Sequence, residues 1–239
     1  LDGLLRSSAD RLHGILNGID AACWNPATDP LLPRTYDAAT LEHKAENRVA
    51  LQRETGLAEL GDRPLIGMVT RLARQKGVDL VLEVLEEIVA LPAQLVVLGA
   101  GDRGLAAALH AAAARHPGAV AFREGMDEGL AHRIEGGADL FLMPSRHEPC
   151  GLNQLYSMRY GTLPVVRRTG GLADTVDATT GFSFGAPAAD ALLGALREAA
   201  DAWRDPRRRR RMQLTGMARD DSWSGRMDAY VDLYRSLAS

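Results

Sequence analysis

The chain has 239 residues, 46% of them apolar, 25% charged and 5% aromatic, with a formal net charge of −3. That length and apolar content suffice for one large domain with appendages, and the small net charge argues against a dedicated nucleic-acid or polyanion binder. No run approaches the ~18 apolar residues of a membrane span, and two distant thiols, Cys23 and Cys150, make neither a disulfide framework nor a zinc-ligand set.

A reducing, cytoplasmic compartment is the simplest reading of so few cysteines. The opening stretch LDGLLRSSADRLHG lacks the basic start and continuous apolar centre of a signal peptide. Its Leu1, Leu4, Leu5 and Leu12 fit a helix face already under way, as in a piece of something longer. Next, HGILNGIDAACWNPATDPLLPRTYD is rich in Pro, Gly, Asn and Asp and reads as an extended connector with a short strand. Residues 41–56 form a charged helix ending near Gly56. A regular alternation follows: strand 64–70, helix 77–90, strand 93–99, helix 102–116, strand 118–124, helix 128–137, strand 138–145, helix 151–161, strand 162–168 and a candidate sixth strand in 180–187. Helices at 188–203, 205–218 and 223–237 close the chain. Apolar runs of about five residues without alternation suit strands buried on both faces. Helices between them force parallel, right-handed crossovers. The expected class is α/β, a doubly wound parallel sheet of Rossmann-like type. Residues 1–60 lead into it, 61–220 form the domain proper and 221–239 a terminal helix.

In such a sheet, ligands bind beyond the carboxyl ends of the strands. In TRLARQKG, Arg71 and Lys76 fall at that edge, and a guanidinium fork with a mobile ammonium suits phosphate oxygens. On spacing alone, two solvated loop cations explain them as well. GAGDRG, residues 99–104, matches G-x-G-x-x-G between a strand and a helix, and Glu124 lies about twenty residues further on, as in the dinucleotide fingerprint. Gly99, Gly101, Gly104 and Glu124 therefore keep an NAD-binding oxidoreductase domain open. The fingerprint usually opens the first βαβ unit, however, and a tight turn is the plainer account.

PSRHEPCGLNQLYSMRYG, residues 144–161, puts Pro149 where a chain would enter a helix. Cys150, Gly151, Leu152 and Asn153 would then offer free first-turn N–H groups to an anion. Glu148, beside them, suits sugar hydroxyls better than phosphate; an ordinary helix-start acid would look the same. Cys150 has no paired histidine, since the adjacency of His147 does not create a dyad. RRTGGLADTV, residues 167–176, adds a Gly-Gly turn, and Arg207–Arg211 spread around a solvated helix.

Together GILNGID…WNP, TRLARQKGVDL and SRHEPCGLNQLYSMRYGTLPVVRRTGGLADTV resemble bacterial glycogen synthases and plant starch synthases, retaining glucosyltransferases of two Rossmann-like domains, the GT-B architecture. The resemblance runs nearly end to end and covers only the carboxyl-terminal half of such an enzyme. The amino-terminal lysine motif K-T-G-G-L and the histidine facing the sugar are not in this sequence. The resemblance implies that Arg71 and Lys76 grip the diphosphate of ADP-glucose and stabilise the leaving ADP. It assigns Glu148 to the glucose hydroxyls, and Cys150, Gly151, Leu152 and Asn153 to sugar and phosphate. Gly125 and Met126 would lie near the base. Asn153 stands where relatives carry Thr, and Met126 where bacterial relatives often carry an aromatic ring, so adenine meets a weaker surface. No metal and no cofactor beyond the donor substrate are implied. The partners implied are an α-1,4-glucan acceptor and an amino-terminal GT-B domain, onto which the last helix would cross. The isolated chain is expected to bind ADP weakly and transfer little glucose. A non-catalytic nucleotide-binding module is the other alternative.

Overall fold

The computed structural model describes residues 2–238; Leu1, assigned above to a helix face, lies outside them. A short helix α1 (Asp2–Arg6) and a 3₁₀ turn (Ala9–Arg11) come first. Of the expected apolar helix face, Leu5 and Leu12 are about half exposed. Residues 12–40 contain no strand; a single parallel bridge, Ile19 to Ser222, replaces the one expected. Helix α2 (Lys44–Thr55) ends on left-handed Gly56.

The core alternates β1 (Leu65–Val69), α3 (Val78–Glu83), α4 (Leu85–Ala90), β2 (Gln94–Gly99), α5 (Arg103–Arg115), β3 (Val120–Glu124), α6 (Glu128–Gly137), β4 (Leu140–Met143), α7 (Asn153–Arg159), β5 (Leu163–Arg167), α8 (Gly171–Thr175) and β6 (Phe182–Phe184). Helices α9 (Ala189–Arg204), α10 (Pro206–Met217) and α11 (Trp223–Ala238) follow. All six strands pair in parallel, in the order β3-β2-β1-β4-β5-β6. The doubly wound class expected from the sequence is therefore the observed one.

The strands lack polar alternation because both faces are covered. Ile66, Met68, Leu95 and Val97 point into the core shared with α3, α4, α5 and α9. Leu65, Val96, Leu98 and Phe141 point to the layer built by α2 and α6. Three helix starts are set by aspartates. Asp102 accepts from Leu105 N at 3.0 Å and Asp127 from Leu130 N at 2.8 Å. Asp205 accepts from Arg207 N and Arg208 N ahead of Pro206. Each satisfies a first-turn N–H that the helix cannot.

Two expected helices differ. The 77–90 helix breaks at β-branched Val84, whose φ of −112° and ψ of 21° leave the helical region. The break keeps Val81, Val84, Leu85 and Ile88 all buried against the sheet. The 151–161 helix starts only at Asn153, because Gly151 is left-handed at φ +73° and Leu152 is the N-cap. Pro149 therefore lies four residues outside the helix rather than at its first position.

The connector is fastened to the domain by a buried polar network. Tyr36 donates to Tyr160 O at 2.8 Å. Lys44 Nζ donates to Glu135 O, Gly136 O and Thr162 Oγ1, and Ser157 Oγ donates to the Glu135 carboxylate at 2.8 Å. Burial pushes the Glu135 carboxyl up to about 8 and the Lys44 ammonium down to about 7. A carboxyl that loses its proton near 8 when folded, but near 4.5 when unfolded, costs stability increasingly as pH rises between those values. Glu135→Gln keeps an acceptor for Ser157 and removes that cost; it also removes a charge that holds the Lys44 ammonium up, and a lower Lys44 value acts in the same direction with pH. Thermal or urea unfolding should show the variant gaining on the wild type as pH rises from 4.5 to 8, by about 4 kcal/mol from the Glu135 carboxyl. A pH-independent difference would mean that Glu135 is ionised throughout.

Candidate active site

A cleft of about 1070 Å³ opens beyond the carboxyl ends of β1, β2 and β4. It lies where the chain order reverses between β1 and β4, the usual ligand position in such sheets. Arg71, Lys76, Gly125, Met126, Glu148, Gly151, Leu152 and Asn153 all line it. Cys150 does not; its carbonyl accepts from Gln154 Nε2 at 3.2 Å and abuts Gly171.

Lys76 and Glu148 meet directly, Nζ to Oε2 at 2.5 Å, with side chains 24% and 10% exposed. They are 72 positions apart, and two loops must be strapped together for this to happen. Arg146 N donates to Gln75 O at 2.7 Å, and the Arg146 guanidinium bonds both Arg74 O and the Asp79 carboxylate at 2.6 Å. Gly77 lies so close to Pro144 that a Cβ would stand 2.2 Å from its carbonyl oxygen. From the other side, Arg167 donates to Ser145 O at 2.8 Å and to Arg146 O. Ser145 Oγ then donates to Glu148 at 3.1 Å. Glu148 thus has a cation and a hydroxyl on one oxygen. Glu148 lies in the loop between β4 and α7, five residues ahead of Asn153, so it is not an acid of the helix's first turn.

Arg71 stands at the mouth of the cleft, donating to Gln75 Oε1 at 3.2 Å, and Gln75 in turn donates to His147 O at 3.3 Å. Asn153 Nδ2 is anchored on Val69 O at 3.0 Å. The backbone N–H groups of Gly151, Leu152 and Asn153 have no protein acceptor among the described residues. The anion cradle expected from a helix tip is therefore a left-handed turn ahead of a seven-residue helix, with a correspondingly small dipole. Met126 is 98% exposed at the rim.

Sequence reasoning missed Ser145, Gln75, Arg146 and Arg167 as supports. It also missed the purpose of the Gly-Gly pair. A Cβ on Gly170 would stand 2.1 Å from Glu148 O, and one on Gly171 2.2 Å from Cys150 O. The RTGGL turn closes over the EPCG turn, and Gly171 N donates to Pro149 O at 3.0 Å. Glycines lying at such close backbone approaches were the available signal.

The G-x-G-x-x-G turn packs on the tail of β1 on one side and lines the cleft on the other. Leu72 N donates to Ala100 O at 2.8 Å and Asp102 N to Leu72 O at 2.9 Å. A Cβ would stand 2.0 Å from Thr70 O at Gly99 and 2.4 Å from Leu72 O at Gly101. The glycines admit the tail of β1, where the dinucleotide fingerprint would admit a pyrophosphate. Glu124 pairs with His110 at 2.9 Å. The NAD reading is not favoured.

Comparisons with known proteins agree. The sequence model described as "Glycosyl transferases group 1" matches residues 53–216. A glycogen synthase of Anaeromyxobacter dehalogenans is 55% identical over the whole of this chain and 51% of its own length. One from Alkalilimnicola ehrlichii is 52% identical over 99% of this chain and 51% of its own. The catalytic domain of starch synthase IV from Arabidopsis thaliana, solved with ADP and acarbose, superposes with a TM-score of 0.92 at 34% identity, over 99% of this chain and 51% of that one. The chain spans about half the length of the curated relatives it matches. No helix among the described residues is long and apolar enough to cross a membrane. The matched family model, the glycogen synthase relatives and the parallel sheet with its cleft at the β1–β4 reversal agree: this chain belongs to the group 1 glycosyl transferases, as a carboxyl-terminal GT-B domain of the glycogen and starch synthase kind.

Proposed function

We propose that the chain is the donor-binding domain of a retaining glucosyltransferase that moves glucose from ADP-glucose to the end of an α-1,4-glucan. The observation that carries this reading is the convergence of Arg71, Lys76 and Glu148 on one cleft beside unpartnered backbone N–H groups. In this reading, Arg71 and Lys76 take diphosphate oxygens. An ammonium has three N–H donors, so Lys76 can hold Glu148 and a phosphate oxygen together. As the bond from the glucose anomeric carbon to the β-phosphate oxygen breaks, the electron pair leaves with ADP, and both cations meet the charge that develops there. Glu148, nearly buried, accepts from glucose hydroxyls. Gly125 and Met126 border the nucleoside end.

The glucan acceptor and the amino-terminal half belong to the same proposal. Support comes from α11, which has no buried residue and exposes Trp223, Met227, Tyr234 and Leu237, an apolar face suited to a covering domain. Glucose transfer accordingly needs that second domain, and the chain alone binds nucleotide without turnover. Calorimetric titration of the chain with ADP, UDP and NAD tests the reading. ADP should bind most tightly and NAD not measurably; tight NAD binding, or no nucleotide binding at all, would overturn it.

A further inference from the structure

Apart from the cleft's own machinery, one buried side chain with an unanswered polar atom belongs to a group of three potential metal ligands. His132 is 1% exposed and its Nε2 has no hydrogen-bond partner. Its other nitrogen is committed: Nδ1 lies 2.8 Å from Asp29 Oδ2. A carboxylate only accepts, so Nδ1 carries the proton and Nε2 the lone pair. Asp29 is itself held by the Tyr160 hydroxyl at 2.6 Å and Leu31 N at 2.9 Å. Trp24 stacks on the imidazole at 3.8 Å and fixes its plane. An imidazole oriented in this way by a buried carboxylate is the usual support behind a metal-ligating histidine. Left unanswered, a buried polar atom costs about 1–3 kcal/mol.

The neighbours supply the rest of a ligand set. The ligand atoms of Cys23, Glu128 and His132 all lie within 4.8 Å of one another. Cys23 and Glu128 are exposed, so the group is open to solvent on one side. With bonds of about 2.0 Å to nitrogen and 2.3 Å to sulfur, tetrahedral ligand atoms stand roughly 3.3–3.8 Å apart. Rotation of the two exposed side chains closes that gap. The Cys23 turn is already fixed, with Asp20 Oδ1 accepting from Ala22 N and Cys23 N.

We infer that Cys23, Glu128 and His132 form a binding site for a zinc-class divalent ion, with Asp29 orienting the imidazole and water completing the coordination. Thiolate, imidazole and carboxylate together select zinc or cobalt over magnesium or calcium. Binding displaces the thiol proton to solvent and involves no redox step. The ligands come from the connector and α6, so the ion would pin the connector to the domain at the rim of the cleft, which Glu128 also lines. The sequence alone gave no ligand spacing here, because Cys23 and His132 meet only through the fold.

Cobalt titration of the full chain tests the site. The expected result is one equivalent bound, with a near-ultraviolet cobalt–thiolate charge-transfer band that zinc abolishes. Cys23→Ser should remove the band and weaken zinc binding at least tenfold, and zinc should raise the melting temperature of the wild type but not of this variant. Glu128→Gln should weaken binding while leaving the band. Both side chains are exposed, so both variants should fold. No thiolate band on the wild type, or a band and affinity unchanged in Cys23→Ser, would overturn the assignment.

Discussion

Replacing Lys76 by alanine is expected to weaken ADP binding about 30-fold, close to 2 kcal/mol for a lost charge-assisted contact to phosphate. The loss in turnover should be larger. With the chain joined to the amino-terminal half of a bacterial glycogen synthase, glucose transfer should fall by about 10²–10³ in kcat, because the cation is needed most when charge reaches the departing oxygen. A second effect contributes. Glu148 is 8% exposed and would keep only Ser145 as a partner, so its carboxylate is left nearly buried without a countercharge. Lys76→Arg separates the two effects. It restores a cation for Glu148, but a planar fork replaces a point charge, so ADP affinity should recover more than turnover. Isothermal titration and initial rates measure both quantities. Equal ADP affinity in wild type and Lys76→Ala would remove Lys76 from the phosphate site.

The largest loss of stability is expected at Gly170. Its φ of +46° with ψ of −137° is a conformation other residues rarely hold, and a Cβ there would stand 2.1 Å from the Glu148 carbonyl oxygen. Gly170→Ala must open the contact between two turns, at a cost of about 3 kcal/mol. That corresponds to a fall in melting temperature of roughly 10 °C for a chain of this size. Opening the contact also shifts Glu148, so ADP-glucose affinity should fall further than ADP affinity. Gly194 supplies the contrast: it is exposed within α9, and nothing lies within 4 Å of an added Cβ. Gly194→Ala should therefore stabilise by about 0.7 kcal/mol. Equal melting temperatures for the two variants would contradict the packing argument.

The sheet was legible in the sequence because two-face burial leaves an unmistakable trace: five-residue apolar runs separated by helices. The starts of the helices expected at 102, 128 and 205 were legible to within a residue, although the aspartate caps that set them were not singled out. The late start of α7 was not, since Pro149 is compatible with entering a helix and only the left-handed turn at Gly151 prevents it. Nor was the break at Val84, which shows only in how Val81, Val84, Leu85 and Ile88 are all buried. In the cleft, Arg71, Lys76 and Glu148 were found by one topological rule, that ligands meet parallel strands at their carboxyl ends. Gly170 and Gly171 were seen only as a turn, because their function lies in the backbone of residues 148–150. The Asp29–His132–Tyr160 cluster gave no sign at all; its members are scattered and meet only after the connector folds back.

The packing of the glycine turn on the tail of β1 sets a limit on redesign. To make this scaffold accept a nicotinamide cofactor, supplying a ribose acid or editing the G-x-G-x-x-G residues would achieve little. Residues 70–72 would first have to retract from the turn, and that would carry Arg71 and the 3₁₀ turn bearing Lys76 away with them. If Arg71 and Lys76 hold a diphosphate as proposed, vacating the glycine turn for a second one would abolish that grip.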